Sequence, residues 1–171
     1  MNVIKNTMKN TKILILIRHS KSSWEENIPD LRRPLKKRGI NDARLVSNYL
    51  KGRAITPNII LCSPSKRTQE TAKIFIDNLD LKTVDFKLIE NLYDFSGSEV
   101  LEVIKSCDDS VKCLLIFGHN NALTAIANTY GNQYIENITT SGFVEIHFEI
   151  SSWKNLNVGE TKKIVFPKHL K

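Results

Sequence analysis

The stretch KILILIRHSKSSW, residues 12–24, decides the fold. Its apolar core, residues 13–17, is β-rich and does not alternate with polar residues. Such a run suits a strand covered on both faces, as in a parallel sheet. The run stops at Arg18-His19 and gives way to small polar residues. In open α/β folds, strands of this kind deliver the next residues of the chain to the carboxyl edge of the sheet, where ligands bind. Arg18 and His19 are therefore expected at the floor of a cleft.

The same handover recurs twice. Residues 58–62, NIILC, read as a second buried strand and run into Ser63-Pro64. Serine as N-cap with proline at the first helical position predicts a helix there. Thr71, Ala72, Phe75 and Leu79 share its apolar face, and Arg67 falls in its first turn. Residues 111–117, VKCLLIF, read as a third buried strand, ending in Gly118-His119 ahead of a helix over 121–130. Between these units, Ile40, Ala43, Val46 and Leu50 predict a helix over 39–50, stopped near Gly52. A short strand is expected over 86–89, with Glu90 just beyond it. Ser98 is expected to cap a helix holding Val100, Leu101 and Ile104.

The last part changes character. Residues 143–150, FVEIHFEI, alternate, and residues 162–166 form another β-rich run ended by Pro167. Together they predict an antiparallel pair added to a parallel sheet. The expected fold class is α/β, a three-layer α/β/α arrangement with a mostly parallel sheet and antiparallel C-terminal strands.

A chain of 171 residues suits one domain with a real core. The expected division is a flexible N-terminal leader, 1–11, and a single domain, 12–171. The polar start lacks an apolar signal core, and no apolar run is long enough to cross a bilayer, so a cytoplasmic location without membrane contact is expected. Cys62, Cys107 and Cys113 include no C-x-x-C pair and are read as reduced thiols. The four histidines lack ligand spacing, so no metal and no other cofactor is expected.

The net charge of +7 favours acidic partners or substrates. Its densest patch is LRRPLKKRG, residues 31–39. It reads either as a solvated loop and helix start or as a basic rim that steers an anion. No nucleic-acid motif is present, and few aromatics interleave with the basic residues, so nucleic acid is not an expected partner.

If the three strands are neighbours, their tips gather Arg18, His19, Arg67 and His119. Arginine binds phosphate oxygens bidentately and keeps its proton. A neutral histidine among such cations can attack phosphorus and form a phosphohistidine that water removes. His147, on the charged face of its strand, and His169, near the end, are read as uninvolved. Tyr93 and Trp24 are read as packing residues, and Lys21 as either a phosphate contact or a solvent-facing side chain.

Five ordered blocks carry a resemblance. LILIRHSKSSW, DLRRPLKKRGINDA, LCSPSKRTQETA, ENLYDFSGSEVLEVI and LIFGHNNALT together resemble the histidine phosphatase superfamily, most of all its SixA-type phosphohistidine phosphatases. The likeness begins near Lys12 and extends to SSWKNL and VFPKHL at the end. It implies a phosphoglycerate mutase-like fold. It also implies that His19 is the transiently phosphorylated nucleophile, and that Arg18 and Arg67 bind the phosphoryl oxygens. His119 would contact the same group, and Ser22 stands where relatives often have a phosphate-contacting serine. Glu90, in E-N-L-Y, matches the block that carries a general-acid glutamate in mutases and many phosphatases; the plain alternative is a surface carboxylate. The chain departs from the family's pattern at Ser20, where RHG reads RHS, and at Asn121, which replaces a frequent proline. Glu25 replaces an asparagine that helps mutases hold phosphate, which argues against a mutase.

Between the Glu90 block and the third strand there is room for one helix only. Larger relatives place there the insertions that cover small substrates. An open cleft is therefore expected, suited to a phosphohistidine on another protein, for instance a histidine phosphotransfer domain, acted on by a monomer. The alternatives are a small phosphate ester as substrate or, in a different class, a basic binding module without catalysis.

Overall fold

The computed structural model describes residues 10–25 and 27–171. Its centre is one six-stranded sheet. The strands are β1 (Thr11–Arg18), β2 (Ile59–Cys62), β3 (Asp85–Leu88), β4 (Cys113–Gly118), β5 (Phe143–Glu149) and β6 (Glu160–Val165). Their spatial order is β3-β2-β4-β1-β5-β6. The first four in that order run parallel, β5 is antiparallel to β1, and β6 is antiparallel to β5. The helices are α1 (Lys37–Leu50), α2 (Lys66–Asn78), α3 (Ser98–Lys105) and α4 (Ala122–Tyr130).

The unbroken apolar run of β1 has a simple cause. Side chains alternate across a strand. Leu14 and Leu16 enter one core with Val100 and Ile104 of α3 and Leu123 and Ile126 of α4. Ile15 and Ile17 enter the other with Val46 and Leu50 of α1 and Ala72 and Phe75 of α2. Both faces of the sheet are covered, giving the expected α/β/α layers. Lys12 at the start of β1 is also buried, its ammonium donating to the carbonyls of Asp109 (2.6 Å) and Val111 (3.2 Å) beside the Trp153 ring.

Several boundaries differ from the sequence reading. Helix α2 is capped by Ser65, whose hydroxyl accepts from the Thr68 N–H, so Ser63-Pro64 does not start it. Ser63 is held elsewhere: its N–H donates to Phe117 in β4 at 3.1 Å. Helix α3 is capped by Asp94, not Ser98; Oδ2 accepts from the N–H groups of Gly97 (2.9 Å), Glu99 (3.1 Å) and Val100 (3.1 Å). Helix α1 begins at Lys37, and there Gly39 is packed so closely that a Cβ would lie 2.2 Å from the Lys21 carbonyl oxygen. The alternation of β5 does not mark an exposed face, because Glu145 is buried between His147 (3.2 Å) and Lys163 (3.7 Å). Most of the expected leader lies outside the described residues, and Thr11 already pairs with Glu149. Among the described residues, no helix is long and apolar enough to cross a membrane.

Register positions the site. In the β1–β4 pair Arg18 is level with Gly118, and in the β2–β4 pair Cys62 is level with Phe117. The RH and GH pairs therefore leave the sheet side by side.

Candidate active site

The loop after β1 is pinned from three directions. The His19 N–H donates to the Gly118 carbonyl at 3.0 Å, extending the sheet ladder past Arg18. The Ser20 N–H donates to Thr71 Oγ1 at 2.9 Å, and that hydroxyl donates to the Arg67 carbonyl at 2.8 Å. One side chain of α2 thus ties the loop to the turn that carries Arg67. The Ser20 hydroxyl shares a hydrogen bond with Ser141 at 2.6 Å, and the Ser141 N–H reaches the Arg18 and His19 carbonyls. A glycine in place of Ser20 would have no such partner.

Hydrogen-bond partners assign the tautomers of both buried imidazoles. His19 Nδ1 lies 2.8 Å from the Ser20 carbonyl oxygen. A carbonyl only accepts, so Nδ1 carries the hydrogen and the lone pair of the neutral ring lies on Nε2. Burial pushes the His19 pKa down to about 3, aided by the charges of Arg67, Arg18 and Arg33 against the Ser20 hydrogen bond. His119 has the opposite tautomer. Arg67 Nη2, which only donates, lies 3.4 Å from His119 Nδ1, so Nε2–H donates to Ser63 Oγ at 2.8 Å. Burial and then the neighbouring His19 and Arg67 hold His119 at about 3 as well, with Asp30 opposing. The two ring centroids are 5.2 Å apart.

Arg67 is 1% exposed and faces Asp30. Its Nη1 donates to the Asp30 carbonyl at 2.7 Å and its Nη2 to the carboxylate at 3.1 Å. Asp30 also accepts from Arg33 Nε at 3.0 Å and from the Tyr93 hydroxyl. Burial alone would raise its carboxyl pKa; the Tyr93 hydrogen bond and the Arg67 and Arg33 guanidiniums more than offset this and hold it at about 2. Arg33 continues the network to Ser22 Oγ (2.8 Å) and stacks on the Trp24 ring at 3.6 Å. Arg18 donates from Nη1 to the Ile138 carbonyl at 2.8 Å. Among the described residues, the buried Nε–H groups of Arg18 and Arg67 have no acceptor. This donor set suits a tetrahedral oxyanion.

Of the residues singled out by sequence, the structure brings Arg18, His19, Arg67 and His119 together and places Ser22 in the same loop, held by Arg33. Glu90 is exposed in the short 3-10 turn Glu90–Leu92, and no hydrogen bond or ion pair joins its side chain to these groups. The carboxylate in contact with the arginines is Asp30. Tyr93 packs edge-on against Phe95 at 5.2 Å and His119 at 5.4 Å and also bonds Asp30, whereas Trp24, read as packing, is 70% exposed under Arg33. The basic stretch also divides, since Arg33 is buried in the network while Arg32 is exposed. Lys21 is exposed. His147 pairs with Glu145 at the opposite end of β1, level with Ile13, and His169 stacks on Phe166.

Sequence reasoning missed Asp30, Arg33, Ser63 and Ser141. For the first two a signal existed, opposite charges three residues apart in D-L-R-R. For Ser63 and Ser141 none did.

Comparison with known proteins places these features in a family. The family model of the histidine phosphatase superfamily (branch 1) matches residues 14–112. The chain is 33% identical over 112 residues to an uncharacterised protein of Mycobacterium tuberculosis, covering 65% of this chain and 67% of that one. The fold is similar to the protein histidine phosphatase SixA complexed with tungstate, with a TM-score of 0.75, 21% identity, and coverage of 93% of this chain and 99% of that one. It is also similar to the phosphoglycerate mutase of Bacillus anthracis, with a TM-score of 0.64, 13% identity, and coverage of 95% and 96%. At such identities the likeness is one of fold, and the fold is phosphoglycerate mutase-like.

Proposed function

The chain belongs to the histidine phosphatase superfamily, and on that premise we propose that it hydrolyses a phosphoryl group carried on a histidine of another protein. The observation that carries this reading is the 2.8 Å bond from His19 Nδ1 to the Ser20 carbonyl, which leaves a lone pair on Nε2 of a ring kept uncharged.

In the first step Nε2 of His19 bonds to phosphorus while the bond from phosphorus to the substrate's nitrogen breaks. The electron pair of that bond leaves with the substrate's imidazole, which takes up a proton. In the second step water attacks phosphorus, the bond from phosphorus to Nε2 breaks with its electron pair returning to the ring, and inorganic phosphate departs. Arg18 and Arg67 hold the phosphoryl oxygens and stabilise charge as bonds change. His119 and Ser22 contact the same group, and a bound phosphoryl dianion favours protonation of His119. Glu90 is the proton donor in this reading, but an imidazole leaving group needs little help from it. The whole route uses side chains alone.

A protein substrate is supported by the single element between Glu90–Leu92 and β4, which is α3. No inserted element covers a small substrate there, so a protruding side chain has access. The test is incubation with a phosphorylated histidine phosphotransfer protein. The expected result is phosphate release by the wild type, acid-labile label trapped on His19, and no turnover by His19→Ala. Undiminished turnover by His19→Ala would overturn the nucleophile. Much higher efficiency on a sugar or nucleotide phosphate would overturn the protein substrate.

A further inference from the structure

We propose that the groove bounded by the 3-10 turn Asp30–Arg32, α2 and β3 docks an apolar, carboxylate-flanked segment of the phosphoprotein substrate. The proposal rests on the functional reading above and adds a recognition surface to it. The groove has a volume of about 600 Å³. Leu31, Pro64, Ile76 and Phe86 give it apolar walls, and Leu31 and Phe86 are 43% and 39% exposed. A concave apolar surface with a few charged groups around it suits a bound side chain.

Its position ties it to the chemistry. Leu31 directly follows Asp30, whose carboxylate holds Arg67. On the other wall, Pro64 directly precedes the Ser65 cap of α2, the helix that carries Arg67. A segment seated in the groove therefore lies against the two chain segments that set the phosphoryl-binding guanidinium.

Charge selects the occupant. Arg32, Lys66 and Lys73 line the groove with a single acid, Glu70. Glu70 is already engaged, by the Leu35 N–H at 2.8 Å and by Lys66 at 3.9 Å. Neither Arg32 nor Lys73 has a carboxylate partner among the described residues. The rim thus presents uncompensated positive charge around an apolar floor. A second copy of this chain, with a net charge of +7, is electrostatically disfavoured there. Leucine-like side chains flanked by Asp or Glu satisfy both the floor and the rim.

The experiment compares two synthetic phosphohistidine peptides with the full chain, one flanked on both sides by alternating Leu and Glu, the other by Ser and Gly. The wild type is expected to favour the Leu/Glu peptide in kcat/KM by about tenfold, equivalent to about 1.4 kcal/mol. The R32E/K73E double variant is expected to lose that preference through KM, with kcat and the hydrolysis of phosphoramidate unchanged. Equal kcat/KM of the wild type for the two peptides would overturn the groove and leave the functional reading standing, as would a preference retained by R32E/K73E. No turnover of either peptide, with phosphoramidate still hydrolysed, would overturn the functional reading and this inference with it.

Discussion

The buried guanidinium of Arg67 turns both terminal nitrogens toward Asp30, through its carbonyl oxygen at 2.7 Å and its carboxylate at 3.1 Å, while Nη2 also meets His119 Nδ1 at 3.4 Å. A phosphoryl group bound by this guanidinium competes with Asp30 and approaches a carboxylate of like sign. Asp30→Asn is therefore expected to bind inorganic phosphate or tungstate about tenfold more tightly, a gain of about 1.4 kcal/mol. Isothermal titration checks it, and unchanged or weaker affinity would refute it. The same variant has a stability signature. Asp30 is held at about 2 against an ordinary 3.8, so its contribution is present above pH 3.8 and is lost as the pH falls toward 2. The variant is expected to lack that loss in acid denaturation curves.

Both site histidines are held at about 3 in the folded chain, against an ordinary 6.5. Their ring resonances are expected to show no titration between about pH 5 and about pH 8 in NMR spectra of the free protein. A midpoint near 6.5 for either ring would contradict the assignment. Because both pKa values are depressed, the linked stability is full above pH 6.5 and declines as the pH falls toward 3. His19→Asn, which keeps a donor for the Ser20 carbonyl, is expected to flatten that decline in thermal melts.

Ser63 is fully buried and is the acceptor for His119 Nε2–H. Ser63→Ala leaves that donor unpaired, at an expected loss of about 1–3 kcal/mol in stability. With the tautomer no longer fixed, kcat is expected to fall, since the Nδ1 lone pair no longer reliably faces Arg67. Ser63→Thr, which restores a hydroxyl, is expected to recover part of both; recovery of stability without activity would show that the bond is structural only.

Gly39 is required by proximity, because a Cβ there meets the Lys21 backbone at 2.2–3.0 Å. Gly39→Ala is expected to cost about 1–3 kcal/mol by overpacking. It also shifts the loop bearing Ser22, which pairs with Leu35 just ahead of α1. Urea denaturation measures the first effect and the KM for a phosphorylated substrate the second. A variant with wild-type values of both would show that α1 moves away freely.

The fold was legible where burial imposes a pattern. Arg18-His19 and Gly118-His119 each end an apolar run that both faces of the sheet require, so their convergence is a consequence of two neighbouring parallel strands. Asp30 and Arg33 lie in a segment with no periodicity, where position is set by tertiary partners alone. Their opposite charges were visible, but the pairing of Asp30 with the buried Arg67, 37 residues away, was not. The caps fail for a related reason. Ser63 and Ser65 flank the same proline and either suits a helix start; His119 claims the first and leaves α2 the second. Similarly, Asp94 reaches the Gly97 amide and two amides of α3 from outside the turn where a local reading looks for the cap.

Strand β1 has neighbours on both sides, β4 and β5, out to Ile17, and past it the His19 amide still reaches Gly118 while that of Arg18 reaches Gly142. The proposed nucleophile, His19, is thus anchored to the central sheet, and deuterium uptake at these amides is expected to be among the slowest in the chain. Trp24 and the turn bearing Asp30 and Leu31 lie outside the sheet, so fitting the proposed protein substrate falls to segments that move without breaking its ladder.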